Sequence, residues 1–326
     1  MLNKIYHYLS ESEDPYYNLA VEQHLMETVE EDACILYLWQ NRHTVVIGRN
    51  QNPWSECRTT ELNRDGGHLA RRLSGGGAVY HDMGNLNFTF LVHKKNYDLQ
   101  KQLQVIVSAC RNLGIEARIT GRNDVAAEGR KFSGNAFYDS KGRAYHHGTL
   151  LIDVDMECLG KYLMPSKAKL RSKGVESVRS RVVNLKELCP DLTVERMKQE
   201  MLAAFCRMYA LVSAPVTRLD AAAVEKLRER NAGWDWNYGK SLPADFSCEE
   251  RYCWGEIRLD LRICKGVVKQ AKVYSDSMDW NVCRVVEEAV TGCRFAVDEL
   301  RNAVGNTRLP WEVRRDLMDL LEKQKI

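Results

Sequence analysis

Arg71-Arg-Leu-Ser-Gly-Gly-Gly-Ala-Val-Tyr-His-Asp-Met-Gly-Asn-Leu-Asn87 is the most informative stretch of the chain. Short strand signals surround it, at Leu69–Arg72, Ala78–His81 and Asn87–Val92, so it reads as a loop carried between strands. Three consecutive glycines cost backbone entropy that a plain turn does not require. They let main-chain N–H groups converge on a ligand, and Arg71 and Arg72 beside them can neutralise anionic oxygens. A flexible hairpin with two surface arginines is the plainer alternative. The polar sequel His81-Asp82, Gly84-Asn85 and Asn87 favours a binding loop. It is not a standard nucleotide motif: Gly-x-Gly-x-x-Gly begun at Gly75 and Gly77 fails at Tyr80. Gly239-Lys240-Ser241 imitates the tail of a P-loop, but Trp234 stands where the first glycine is needed.

Working outward, Asp14-Pro15 followed by Tyr17, Val21, Leu25 and Val29 predicts a capped helix with an apolar stripe. Strands are expected at Cys34–Trp39 and Thr44–Ile47, then a helix from Pro53. A second clear helix carries Leu99, Leu103, Ile106, Val107, Cys110 and Leu113 and stops at Gly114. Strands fit Ala117–Ile119, Lys131–Ala136 and Tyr145–Ile152, and a helix fits Thr193 to Ala210. Strands and helices without regular βαβ alternation indicate an α+β fold. The irregular segment Gly233–Ala244 marks a boundary between a catalytic domain, 1–243, and a small α+β accessory domain, 244–326. In the latter, Ile257, Leu259, Leu261 and Ile263 alternate as a half-buried strand. Lys265-Gly266 turns that strand into Val267–Tyr274, and helical patterns follow near 281–290, 296–304 and 311–324.

Composition excludes several classes. With 47 Lys plus Arg against 44 Asp plus Glu, the net charge of +3 suits neither a strongly polyanion-seeking nor a disordered chain. The longest apolar run, Ala33–Trp39, is far too short to span a membrane. The 11 cysteines are odd in number, scattered and never Cys-x-x-Cys, so they are expected as free thiols in a reducing cytoplasm. No Cys/His cluster has zinc-ligand spacing. All 8 histidines lie at or before His147, which places the chemistry in the first half.

Three further segments qualify. Gly121-Arg-Asn-Asp124 precedes Arg130-Lys131-Phe-Ser-Gly-Asn135, where Lys131 in a short strand can point its ammonium into a cleft. Asp124 would orient Lys131, hold Mg²⁺, or cap a loop. Tyr145-His146-His147-Gly148-Thr149 has paired histidines that strand alternation sends to opposite faces, so at most one reaches a site and packing is the favoured role for both. Lys161 to Arg181 is cationic through Lys161, Lys167, Lys169, Arg171, Lys173, Arg179 and Arg181, opposed only by Glu176. With Tyr162 as its one aromatic it suits a lid over a phosphate-bearing ligand better than a nucleic-acid surface; an ordinary solvated loop is the alternative.

Together these segments resemble the lipoate–protein ligase family. The resemblance is carried by Asp14-Pro15-Tyr16-Tyr17-Asn18-Leu19-Ala20, Val45–Trp54, Arg71 to Asn85, Gly121 to Asp124, Lys131 to Gly134, His146 to Leu151 and Ser177 to Val183. It continues weakly through Trp234–Gly239 and Trp254-Gly255. It implies a biotin-ligase-like catalytic domain with a mixed or antiparallel sheet. It also implies two steps: lipoate and ATP give lipoyl-AMP and pyrophosphate, then the lipoyl group passes to a lysine of an acceptor. The acceptors implied are lipoyl domains of 2-oxoacid dehydrogenase E2 subunits and the glycine-cleavage H protein. No nucleic acid or membrane is implied, and the protein is expected as a cytoplasmic monomer.

By the same resemblance Lys131 is the catalytic residue. Arg72, Gly77, Ala78, Val79, Tyr80 and Lys131 meet ATP or the adenylate, and Gly75, Gly76 and Lys131 meet lipoate. Asp124, His81, Asn85, His147 and Arg181 are supporting candidates, with Mg²⁺ held through the phosphates and by Asp124. Joining two anions is the barrier, so fixed positive charge at both is the obvious aid, and lipoyl-AMP needs no protein nucleophile. Relatives on this scaffold include a lipoyltransferase that takes preformed lipoyl-AMP and octanoyltransferases, some with a cysteine nucleophile. No cysteine is expected near the glycine loop or Lys131, because Cys57 and Cys110 fall on expected helices. A non-catalytic nucleotide- or RNA-binding module is the alternative from another class.

Overall fold

The structure is a computed structural model, which describes residues 2–121, 124–164, 182–239 and 244–324. Its strands are β1 (Lys4–Leu9), β2 (Ala33–Trp39), β3 (Thr44–Ile47), β4 (His68–Arg71), β5 (Val79–His81), β6 (Asn85–His93) and β7 (Ala117–Thr120). They continue with β8 (Asp124–Ala127), β9 (Arg130–Ser140), β10 (Arg143–Leu151), β11 (Ala214–Pro215), β12 (Phe246–Tyr252), β13 (Gly255–Cys264) and β14 (Val267–Ser275). The α+β expectation holds. An 8-stranded mixed sheet runs β11-β1-β2-β6-β10-β9-β8-β7, and a 3-stranded sheet β4-β3-β5 carries the glycine-rich loop.

Alternation along the central strands divides the large sheet cleanly. On one face Leu36, Leu38, Phe88, Phe90 and Phe132 pack beneath the helices Leu99–Asn112 and Val194–Tyr209. On the other, Tyr37, Trp39, Leu91 and Tyr145 pack under the helix Pro15–Thr28, whose first turn is capped by Asp14 accepting from Tyr16 N at 2.8 Å. This second face continues past the helix as an open floor, and there the cavity lies.

The C-terminal sheet, β12-β13-β14, buries Ile257, Leu259, Leu261 and Val273 against the helices Asn281–Val290, Val297–Gly305 and Trp311–Glu322, a core of its own. It docks against the glycine-rich loop. Gly76 N donates to Ser277 O at 3.2 Å, Ser275 N to Asn50 O at 3.1 Å, and the Arg49 guanidinium lies 4.5 Å over the Trp280 ring. Gly75 is required here: a Cβ on it would stand 2.2 Å from Ser277 O.

Elements not expected from sequence include β1, β8, β11, β12 and the helices Met156–Tyr162, Leu185–Leu188 and Ala221–Ala232. The segment expected to be irregular contains a short helix, Trp234–Asn237. Cys57 is not helical, because the helix from Pro53 ends at Glu56 and Cys57 makes an isolated bridge with Leu163. All cysteines are free, and no helix among the described residues is long and apolar enough to cross a membrane.

Candidate active site

The chemistry converges on a cavity of about 390 Å³ floored by the open face of the large sheet. Its floor crosses Trp39 of β2, Asn87 of β6, His147 and Thr149 of β10, Gly134 and Lys131 of β9, and Asp124 of β8. Gly76, Gly77, Ala78 and Val79 form one wall, and Arg251, Trp254, Asp276 and Met278 of the C-terminal domain close the other side.

Lys131 reaches this cavity through a β-bulge. Ala136 pairs with His147 and shares its face, and simple alternation from Ala136 would turn Lys131 to the opposite face, among the phenylalanines. The ladder with β8 slips instead: Val125 pairs with Ser133, but Ala126 pairs with Lys131, leaving Phe132 as the extra residue. Phe132 drops fully buried into the core, and Lys131 is re-aimed to the cavity side. There its Nζ lies 2.6 Å from Asp124 Oδ1, with both side chains more than a third exposed. The strand is thus long and bulged rather than short. Lys131 O accepts from Val183 N at 3.0 Å, which ties the chain leaving the cationic stretch to this strand.

The two arginines of the loop have different fates. Arg72 lines the cavity with its guanidinium largely spent on the loop's shape. Nη2 donates to Gly75 O at 2.7 Å and Gly77 O at 2.8 Å, Nη1 to Val46 O at 3.2 Å, and Nε to Ser74 Oγ at 3.0 Å. Burial lowers its pKa to about 10, so it stays cationic at neutral pH, and its positive charge remains under the glycine wall. Arg71 does not neutralise a ligand. Its side chain turns away and donates to the carbonyls of Gly48, Arg49, Gln51, Trp236 and Asn237, a buried strut joining three segments.

Behind the floor runs a buried polar chain. Ser74 Oγ lies 2.8 Å from His147 Nε2, and His147 Nδ1 lies 2.8 Å from Glu22 Oε1. Glu22 Oε1 also accepts from Thr89 Oγ1, which in turn accepts from Trp39 Nε1. His147 therefore bonds within the site, whereas His146 on the opposite face bonds Gln102 and Asn135; burial lowers the His146 pKa to about 3. His81 lines the cavity, and burial, helped by Arg72 and His147, lowers its pKa to about 3 as well.

Other expected site residues fall elsewhere. Tyr80 points into a separate apolar cluster and its Oη bonds His43 Nδ1 at 3.0 Å, because its strand neighbours Val79 and His81 take the other face. Gly75 packs on Ser277 rather than lining the cavity, and Asn85 is buried with Nδ2 donating to Asn87 Oδ1. Arg181 and the cationic stretch from residue 165 onward lie outside the described residues; Lys161 pairs with Asp65 at 2.5 Å.

Sequence reasoning missed Glu22, Trp39 and the contributions of residues 251–278. Glu22 had a signal, a carboxylate set in the apolar stripe of its helix. Cys253, exposed on the turn between β12 and β13, also stands in the cavity wall, so a thiol is near after all. No group of three or more His, Cys, Asp or Glu suited to a metal occurs among the described residues.

Comparison with solved structures gives the same architecture. P. falciparum LipL1 in complex with lipoate aligns over 98% of this chain and 100% of its own, with 26% identity and a TM-score of 0.86. The bipartite lipoate protein ligase of Thermoplasma acidophilum, described with its E2 lipoyl domain, aligns over 74% of this chain and 99% of its own at 25% identity and a TM-score of 0.66. A lipoate-protein ligase A bound with ATP shares the fold at 24% identity, covering 73% of this chain and 99% of its own, with a TM-score of 0.64. Residues 241–321 match the model for the bacterial lipoate protein ligase C-terminus. Residues 14–206, more than half of the chain and all of the cavity's sheet floor, match the model for the lipoyl protein ligase A/B catalytic domain, and the chain belongs to that family.

Proposed function

We propose that this protein is an ATP-dependent lipoate–protein ligase that forms lipoyl-AMP and pyrophosphate and then acylates a lysine of a lipoyl domain. The observation that carries the reading is the bulge-directed Lys131–Asp124 pair, set at one end of a cavity walled by the Gly76–Val79 loop. Lys131 sits where the carboxylate and the α-phosphate must meet, and its ammonium offsets the charge that builds on the phosphoryl oxygens. Loop N–H groups of Gly77, Ala78 and Val79 hold the nucleotide, and Arg72 fixes the loop that presents them while adding a buried positive charge. The sheet floor receives the acyl chain and excludes water. Transfer then needs only the acceptor amine, since AMP is already a good leaving group.

Asp124 is a hard oxygen donor facing the cavity and fits a Mg²⁺ that arrives on the ATP phosphates, where the ion would neutralise phosphate charge. The E2 lipoyl domain described with the Thermoplasma ligase supports a lipoyl domain as acceptor. We extend the acceptors to the glycine-cleavage H protein and assign the chain to the cytoplasm as a monomer, in two domains, 1–243 and 244–326. The test supplies ATP, Mg²⁺, lipoate and a purified lipoyl domain, and follows pyrophosphate release and the acceptor mass. Lipoylation from lipoyl-AMP with no pyrophosphate from ATP would instead make the protein a lipoyltransferase.

A second reading has one observation in its favour. Cys253 in the cavity wall could carry an octanoyl thioester in an acyl-carrier-dependent octanoyltransferase. That reaction would run without ATP and stop when the thiol is removed.

A further inference from the structure

Arg251 of the C-terminal domain brings to the cavity a guanidinium that still has donors to give. Among the described residues, Arg72, Lys131 and Arg251 line the cavity against the carboxylates Asp124 and Asp276. Arg72 commits every guanidinium nitrogen to the glycine loop or to Val46 O, and Lys131 pairs with Asp124. Without Arg251 the charges of the described lysine, arginine and aspartate lining would cancel, in a cavity read as receiving a triphosphate and a carboxylate.

The geometry holds Arg251 by one nitrogen only. It lies on β12 opposite Glu256 of β13, and its Nη1 donates to Glu256 Oε2 at 3.1 Å and Asp276 Oδ2 at 3.4 Å. Its Nη2 and Nε make no hydrogen bond to the described residues. Two carboxylates on one nitrogen orient the planar group and leave the rest of its fork of donors unengaged. The side chain is 24% exposed, so the guanidinium is reachable with the cavity empty. Asp276 also accepts from Glu256 N at 2.7 Å, and the next residue, Ser277, accepts from Gly76 N. Arg251 is therefore tied to the glycine-loop side of the cavity, away from the sheet floor.

In-line displacement at the α-phosphorus forms a bond to the carboxylate oxygen while the bond to the bridging oxygen breaks. The electron pair leaves with pyrophosphate, on the side away from the carboxylate. With the acyl chain on the sheet floor, that direction leads off the floor to the facing wall of the C-terminal domain. We propose that Arg251 binds the β- and γ-phosphates of ATP through its unengaged donors and offsets the charge that gathers on the departing pyrophosphate. The inference rests on the proposed ligase reading and adds to it a substrate contact supplied by the second domain.

Calorimetric titration of the full chain tests this with ATP, AMP and inorganic pyrophosphate, each with Mg²⁺ and without lipoate. The parent is expected to bind ATP at least about tenfold tighter than AMP. Arg251→Met is expected to weaken ATP and pyrophosphate about tenfold each and to leave AMP within about twofold. The AMP arm separates a phosphate contact from a structural role. If losing Arg251 only loosened the Ser277–Gly76 docking, AMP would weaken together with ATP, and that result overturns the proposal. Unchanged ATP affinity in a folded Arg251→Met overturns it too, and so does a parent that binds ATP no tighter than AMP, whether or not the variant folds. Pyrophosphate release with lipoate present is measured separately. The expected binding pattern with no release refutes the ATP-dependent ligase and leaves the contact standing, whereas release with ATP affinity unaltered in Arg251→Met does the reverse.

Discussion

Replacing Lys131 by alanine should separate rate from stability. The side chain is 40% exposed and its partner Asp124 37% exposed, so their ion pair contributes at most about 1 kcal/mol to folding after solvent screening. A melting temperature within a few degrees of the parent is expected. The activated complex loses much more. On the proposed mechanism the ammonium there faces charge growing on phosphoryl oxygen, and losing one such partner costs about 3–4 kcal/mol, or two to three orders of magnitude in rate. The assay is pyrophosphate release from ATP with saturating lipoate, with binding of each substrate measured in parallel. Lys131→Arg keeps the charge but changes its reach, because a Cβ at neighbouring Gly134 would already lie 3.0 Å from Nζ. It should recover only part of the rate. Release within a few-fold of the parent in Lys131→Ala would refute the assignment and the geometric argument behind it.

Three more outcomes follow from the described contacts. Cys253→Ser should leave ATP-dependent lipoylation within about twofold; abolished acyl transfer would establish the thioester reading instead. Glu22→Gln should weaken the His147–Ser74 chain and lower unfolding stability by about 1–3 kcal/mol, read from the urea midpoint, because the carboxylate is buried and shared by two donors. An unshifted midpoint contradicts the buried network. Stability should also fall on acidification: His81 and His146 stay neutral when folded down to about pH 3, whereas the unfolded chain protonates them near 6.5. The unfolded state therefore binds more protons between those values, and each histidine contributes a loss of up to about 1.4 kcal/mol per pH unit as pH falls. Urea titrations from pH 7 to 4 that show no difference in slope between the parent and His146→Gln would contradict this.

Much of the fold was legible because its central strands are strongly patterned. Thr44–Ile47 and the helix around Ile106 were read nearly to the residue. The elements missed were those whose burial depends on distant partners. Lys4–Leu9 has one fully buried apolar residue, Ile5, and becomes a strand through parallel pairing with Ala33–Trp39. Ala221–Ala232 buries only Val224 and Asn231, so its periodicity is faint. At the site, the glycine loop, Lys131 and Asp124 stood out by residue type together with the family resemblance, whereas packing was the favoured role for His147, which lines the cavity. Arg71 was misjudged because an arginine beside glycines looks like an anion contact, whereas five backbone carbonyls converge on this one. The wall supplied by residues 251–278 depends on how two separate cores meet, which no local pattern encodes.

The extra residue at Phe132 has a wider meaning for reading related chains. A protein could keep Lys-Phe-Ser-Gly letter for letter and still be inert, if the partner strand gained one residue opposite the phenylalanine, so that one-to-one pairing restored even alternation and buried the amine among aromatic rings. Spelling alone is then no proof of activity in any such chain; parity along the ribbon must be counted as well.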